Sequence, residues 1–269
     1  MIRIKKYRAF ITAILTGSVL MLLYFGILLI ESKAQQDKIM DLKEKIKDDG
    51  AEETDGSKKT TGLVKSGKTD EAEITTEIPP KFRELYQLNN DFVGWLTIDG
   101  TNVDYPVMQR KDDESFYIDK NFYKEESIGG SLFLSSSSDI YLPTDNIIIY
   151  GHTMTDGTMF GDLKKYEDED FYREHKTIIF NSLKEDATFE IAYVFKDKIH
   201  DSTYQGFKYY EFSMAYTDKD YESFINGCEG LKLYDTGIKI NCFEKILTLS
   251  TCSYHEKDGR LVIVAVKRY

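Results

Sequence analysis

A cysteine nucleophile needs a group that takes its proton or stabilises the thiolate, and a donor for the oxyanion that forms when a carbonyl is attacked. The stretch "LTLSTCSYHEKDGRLVIVAV", Leu247–Val266, puts Cys252 at the end of one apolar run and Arg260 at the start of the next. A guanidinium stays charged and forks toward oxygen, so Arg260 can serve thiolate or oxyanion if the two runs are neighbouring strands joined by "CSYHEKDG". Two histidines compete as base. His255 lies in that same loop, whereas His152 leaves the apolar run in "DNIIIYGHTM" at a strand end, a more rigid perch from which a side chain projects into a cleft. Rigidity favours His152, and the residues alone leave both open.

The remaining histidines and cysteines read as bystanders. His175 in "YREHKT" and His200 in "KDKIHDS" have mostly polar neighbours, which predicts surface positions. Three cysteines in 269 residues are too few for a disulfide framework, and at least one thiol must be free. Cys228 in "YESFINGCEG" shares helical spacing with Tyr221, Phe224 and Ile225 and reads as core, and Cys242 in "IKINCFEKI" reads the same way. Structural zinc takes four ligands, often in paired short spacings, so Cys252 and His255 with isolated cysteines elsewhere predict no metal.

The elements that must position these residues are mostly strands. "GWLTID", "VDYPVMQ", "GSLFLS", "NIIIYG", "KTIIFN", "TFEIAYVFKD", "KILTLST" and "RLVIVAVKRY" are short apolar or alternating runs separated by turn residues. They predict a mainly β fold, an antiparallel or mixed barrel or sandwich. Pro79 and Pro80 open a helix in "KFRELYQLN" with Phe82, Leu85 and Leu88 on one face, and "TDKDYESFINGCEG" inserts a second helix after Asp218.

Before Pro79 the chain changes character. Residues 1–8 carry Arg3, Lys5, Lys6 and Arg8, and 9–30 form an uncharged apolar run long enough to cross a bilayer and without a cleavage-site pattern. The expectation is a single-pass membrane anchor with a cytoplasmic N-terminus and an extracytoplasmic domain. Residues 31–78 read as a charged stalk, with Ile39, Leu42 and Ile46 at helical spacing, then a polar linker. A net charge of -11 lacks the basic footprint of a nucleic-acid binder.

"IIIYGHTM", "TLSTC" and "GRLVIVAV", in this order, make residues 79–269 resemble the sortases, the membrane-anchored cysteine transpeptidases of Gram-positive bacteria. The helix "KFRELYQLN" and the insertion before "KILTLST" resemble class B. The resemblance implies an eight-stranded sortase-type barrel with an N-terminal helix and an inserted helix before the nucleophile strand. It implies Cys252 as nucleophile, His152 as general acid/base, Arg260 as oxyanion or substrate stabiliser and Ser250 as a contact of the sorting peptide, leaving His255 as a loop residue. The implied partners are secreted proteins with a C-terminal sorting signal like Asn-Pro-x-Thr-x and an amine of a lipid-linked peptidoglycan precursor, with no cofactor. A thiol hydrolase, a pilus-polymerising sortase and a noncatalytic tethered binding domain are the alternatives. An L,D-transpeptidase fits less, because its motif resembles Ser-His-Gly-Cys-x-Arg and this chain reads "LSTCSYHEKDGR".

Overall fold

Each of the eight apolar or alternating runs forms a strand in the computed structural model, which describes residues 2–51, 78–142, 144–253 and 257–268. They are β1 (Phe92–Thr97), β2 (Asp104–Met108), β3 (Leu132–Leu134), β4 (Asn146–Gly151), β5 (Thr177–Ser182), β6 (Asp186–Lys198), β7 (Ile246–Cys252) and β8 (Gly259–Lys267). The strands close into one barrel in the order β1-β2-β3-β4-β7-β8-β6-β5. Closure leaves no free sheet edge. β2 with β3 and β4 with β7 pair in parallel, and the other neighbours are antiparallel, so the barrel is mixed.

A strand that is buried along its length needs cover on both faces of its sheet. β7 and β8 are such strands: every residue of β7 except Cys252 is buried, and β8 is buried except at Arg260 and Lys267. Cover on the outer face comes from the insertion between β6 and β7, whose helix (Asp218–Leu231) is started by a capping box of Thr217 and Asp220. Tyr221, Phe224 and Cys228 on that helix, together with Tyr209, pack against Tyr193 and Phe195 of β6 and Val262, Val264 and Val266 of β8. The barrel thus has a second hydrophobic core outside its wall.

The helix of "KFRELYQLN" starts as its prolines predict. Pro80–Phe82 is a 3-10 turn that runs into a helix at Arg83–Leu88. Phe82 and Leu85 are buried and the Phe82 ring meets Phe92 edge-on at 5.2 Å, but Leu88 is exposed because the helix ends there and Asn89 turns extended.

The N-terminal expectation fails. The chain falls into two units, Met1–Lys47 and Asp48–Tyr269, and one helix runs from Ile2 to Ala51. No proline or glycine occurs between Glu31 and Asp49, so nothing stops the helix where the apolar run gives way to charge. Among the described residues no helix is long and apolar enough to cross a membrane. The single-pass anchor at 9–30, and the membrane location with its cytoplasmic N-terminus and extracytoplasmic domain, are therefore not supported. Residues 52–77, most of the expected linker, lie outside the described residues.

The outer core is a source of stability that a single change exposes. Phe224 is 2% exposed and its ring stacks on Phe212 at 4.3 Å. Phe224→Ala is expected to cost roughly 3–5 kcal/mol, the usual range for such a truncation, read as a lower urea midpoint with an unchanged slope.

Candidate active site

Parallel pairing of β4 with β7 places Gly151 beside Thr251 and Tyr150 beside Ser250. Antiparallel pairing of β7 with β8 places Cys252 opposite Arg260. Directly opposed residues share a face of the sheet, so the Cys252 and Arg260 side chains stand side by side, with Ser250 on the same face one step further along β7. His152 is the first residue after β4, one position beyond the Gly151–Thr251 pair, and so level with Cys252 on the same rim.

Several contacts fix His152. A Cβ on Gly151 would fall 2.4 Å from Leu132 Cδ2 and 2.8 Å from Phe160 Cδ2, so only glycine lets the strand end lie this close to them. The Phe160 N–H donates to the His152 carbonyl at 2.9 Å, and Thr153 bridges to Met159, which closes the following loop back on the strand end. On the ring, Nε2 lies 2.6 Å from the carbonyl oxygen of Ile118. A carbonyl only accepts, so Nε2 carries a proton and Nδ1 is the nitrogen left to gain or lose one. Ile118 ends a 3-10 turn, Phe116–Ile118, against which Gly130 packs with φ +57; a Cβ there would meet the Ile118 oxygen at 2.4 Å.

The nucleophile strand is tied to the histidine strand by hydroxyls as well as by the ladder. Thr153 Oγ1 donates to the Cys252 carbonyl and lies 2.6 Å from Thr251 Oγ1, which donates to the Gly151 carbonyl at 2.8 Å. Neither threonine stood out in the sequence, although Thr153 directly follows His152 in "GHTM".

Arg260 and Ser250 differ in accessibility. Arg260 is half-buried and its Nη1 donates to the carbonyls of Asp258 and Gly259, at 3.2 and 2.9 Å. Ser250 is 1% exposed, and its hydroxyl pairs at 2.8 Å with that of Tyr209, a residue of the insertion. Burial raises the Tyr209 phenol, and it raises Tyr150 to about 12, while the Arg260 charge acts on both in the opposite direction. Tyr209 had no sequence signal, because its place depends on how the insertion folds over β7.

The other cysteines and histidines separate by burial. Cys228 is fully enclosed, and burial pushes its thiol well above the ordinary range. Cys242 was expected in the core and is exposed instead, because Asn241–Glu244 forms a turn ahead of β7. His255 lies outside the described residues. His175 and His200 were expected on the surface, yet their side chains are only 20% and 12% exposed. His175 packs on the Phe171 ring at 4.4 Å, and His200 stacks on Tyr204 at 3.8 Å with Nε2 3.0 Å from Asp197 Oδ1. Among the described residues no group of His, Cys, Asp or Glu could hold a metal ion.

Two outcomes test this geometry. Gly130→Ala pushes on the carbonyl that holds the His152 ring and is expected to slow any reaction that uses His152 by about 10- to 100-fold, the scale of a 1 Å misplacement. Unchanged turnover in a folded Gly130→Ala protein contradicts that role for the carbonyl. Iodoacetamide at neutral pH is expected to spare Cys228 until the protein is unfolded, because a raised thiol pKa leaves little thiolate; mass mapping of the modified cysteines reads the result.

The geometry has relatives among known proteins. A family model described as Sortase domain matches residues 96–268. The chain is 37% identical over 193 residues to Sortase B of Listeria monocytogenes, a match that covers 71% of this chain and 75% of the relative. It matches the solved sortase B of B. anthracis in complex with AAEK1 at a TM-score of 0.62 with 33% identity, covering 71% of this chain and 85% of that one. It also matches the Staphylococcus aureus sortase B–substrate complex at a TM-score of 0.72 with 25% identity, covering 89% of this chain and 98% of that one.

Proposed function

Because this chain belongs to the sortase family, class B, and is a cysteine transpeptidase, we propose that Cys252, His152 and Arg260 join secreted proteins to the cell wall through a thioester on Cys252. The family implies substrates that carry sorting signals and a cell-wall acceptor. The proposed signal resembles Asn-Pro-x-Thr-x, cut after the threonine, and the proposed acceptor is an amine of a peptidoglycan precursor.

Cys252 Sγ, as thiolate, attacks the threonine carbonyl, and the negative charge that develops on its oxygen is met by the Arg260 fork. The C–N bond breaks as the His152 imidazolium gives its Nδ1 proton to the leaving amine, which leaves a thioester. The acceptor amine then attacks that thioester, Nδ1 takes back a proton, and the thiolate departs. His152 ends each cycle as it began, and no oxidant, metal or organic cofactor enters the balance. Keeping Nε2 bonded to the Ile118 carbonyl throughout leaves one nitrogen for both proton transfers. Ser250 contributes from beneath the peptide groove by holding the Tyr209 hydroxyl in place.

The observation that carries this reading is the meeting of three strand ends: Cys252 opposite Arg260, with His152 at the end of the parallel neighbour of β7. A fluorogenic Asn-Pro-x-Thr peptide tests it. Cys252→Ala is expected to abolish cleavage, and His152→Ala and Arg260→Ala to lower kcat/KM by about 100-fold or more, the usual worth of a general acid/base or an oxyanion donor. His255→Ala is expected to keep most activity. Cleavage that survives Cys252→Ala sinks the reading, and mass spectra that show only hydrolysed peptide when an amine is supplied assign the protein to the thiol hydrolases instead.

A further inference from the structure

Arg260 has a second neighbour across the sheet. β6 pairs antiparallel with β8 and sets Asp197 opposite Arg260, so Cys252, Arg260 and Asp197 form one row across three adjacent strands, on the same face. The Asp197 side chain is 10% exposed. Its Oδ1 faces His200 Nε2 at 3.0 Å, and His200 is itself held on three sides. The ring stacks on Tyr204, the backbone N–H donates to the Tyr210 hydroxyl at 3.0 Å, and that hydroxyl reaches the His200 carbonyl at 3.3 Å.

The other oxygen, Asp197 Oδ2, is buried and has no hydrogen-bond partner among the described residues. Buried carboxylate oxygens are rarely left so, because losing water without gaining a donor is costly. The nearest cation by register is Arg260, whose Nη1 here donates to the carbonyls of Asp258 and Gly259. A guanidinium has more donors than those two bonds use. Asp197 stands two strand spacings from Cys252, roughly 10 Å, which is too far to exchange a proton with the thiol directly. Whatever it does at the site, it does through the residue between them.

We propose that Asp197, braced by His200, is a positioning residue for Arg260: Oδ2 accepts from the guanidinium once a peptide enters the cleft, and turns the fork from its own loop carbonyls toward the oxygen at Cys252. The inference rests on the reading of Arg260 as the oxyanion donor. Its physical content is a carboxylate oxygen that lacks a donor, Oδ2, in register with a guanidinium whose bonds among the described residues go to neutral carbonyls, so that a charge-assisted bond is gained when the side chain turns.

The test is a cycle of Asp197→Asn and Arg260→Lys in the full chain, with steady-state cleavage of the Asn-Pro-x-Thr peptide and thermal unfolding of each variant. Asp197→Asn keeps shape and removes charge. It is expected to lower kcat by about 10-fold or more with KM within about twofold, the pattern of an interaction made only in the transition state. Asp197→Glu is expected to recover part of that loss, and His200→Ala to lower kcat several-fold. In the Arg260→Lys background, Asp197→Asn is expected to add less than about a twofold loss, because the fork it orients is gone. Equal losses in both backgrounds, a change confined to KM, or full activity of folded Asp197→Asn overturns the inference. All four proteins of the cycle are compared at a temperature at which each is folded, so the ratio between backgrounds is independent of stability. Wild-type activity in Arg260→Lys alone identifies a different failure, that of the parent reading, before Asp197 is altered, and takes this inference with it.

Discussion

The parallel pairing of β4 with β7 is the constraint on which the rest of the site depends. His152 and Cys252 each end a strand, and two strands that run the same way end at the same rim. An antiparallel pair in the same register would carry His152 to the far end of a six-residue strand, roughly 20 Å away at 3.3 Å per residue. Parallel neighbours cannot be joined by a tight turn, so the chain between them must be long. That length is occupied by β5, β6 and the insertion, which supply the remaining walls. Arg260 then arrives at no further topological cost, because β8 runs back antiparallel from the end of β7.

The outer hydrophobic core serves the same end. β7 and β8 are buried on both faces, and the helix Asp218–Leu231 with its flanking aromatics supplies the outer cover. Covering them brings Tyr209 over Ser250 and sets Tyr204 and Tyr210 around His200. The packing that stabilises β7 and β8 also places Tyr209 and His200 beside the Ser250–Arg260 face, so stability and side-chain placement are one problem in this region.

The polar contacts near the rim share a logic. The His152 ring, the Cys252 carbonyl and the Arg260 guanidinium each meet a backbone carbonyl or a hydroxyl rather than a charged side chain. Neutral partners orient a group without neutralising it, which leaves the imidazole and the guanidinium able to respond when charge develops nearby. Asp197 is the exception in this row, and two strand spacings separate it from the thiol.

What could be read from the chain alone was what is local. Each strand announced itself by apolar or alternating residues between turns, as in "NIIIYG" and "RLVIVAV", because burial on a pleated surface is written into consecutive positions. Cys252 and Arg260 were legible together because one short connection joins their strands. The nearness of His152 to either was not, since parallel pairing joins segments that share no local pattern; strand-end rigidity only favoured it over His255, and motif resemblance carried the choice. The same lack of nonlocal information misplaced Cys242, His175 and His200, where composition stood in for contacts. The bond between Ser250 and Tyr209 had no local signal either, because it joins β7 to the insertion. Sequence determined which segments are strands and which side chains can do chemistry, whereas the tertiary structure decided which of them meet, because strand order and burial are set by surfaces that come together only when the barrel closes.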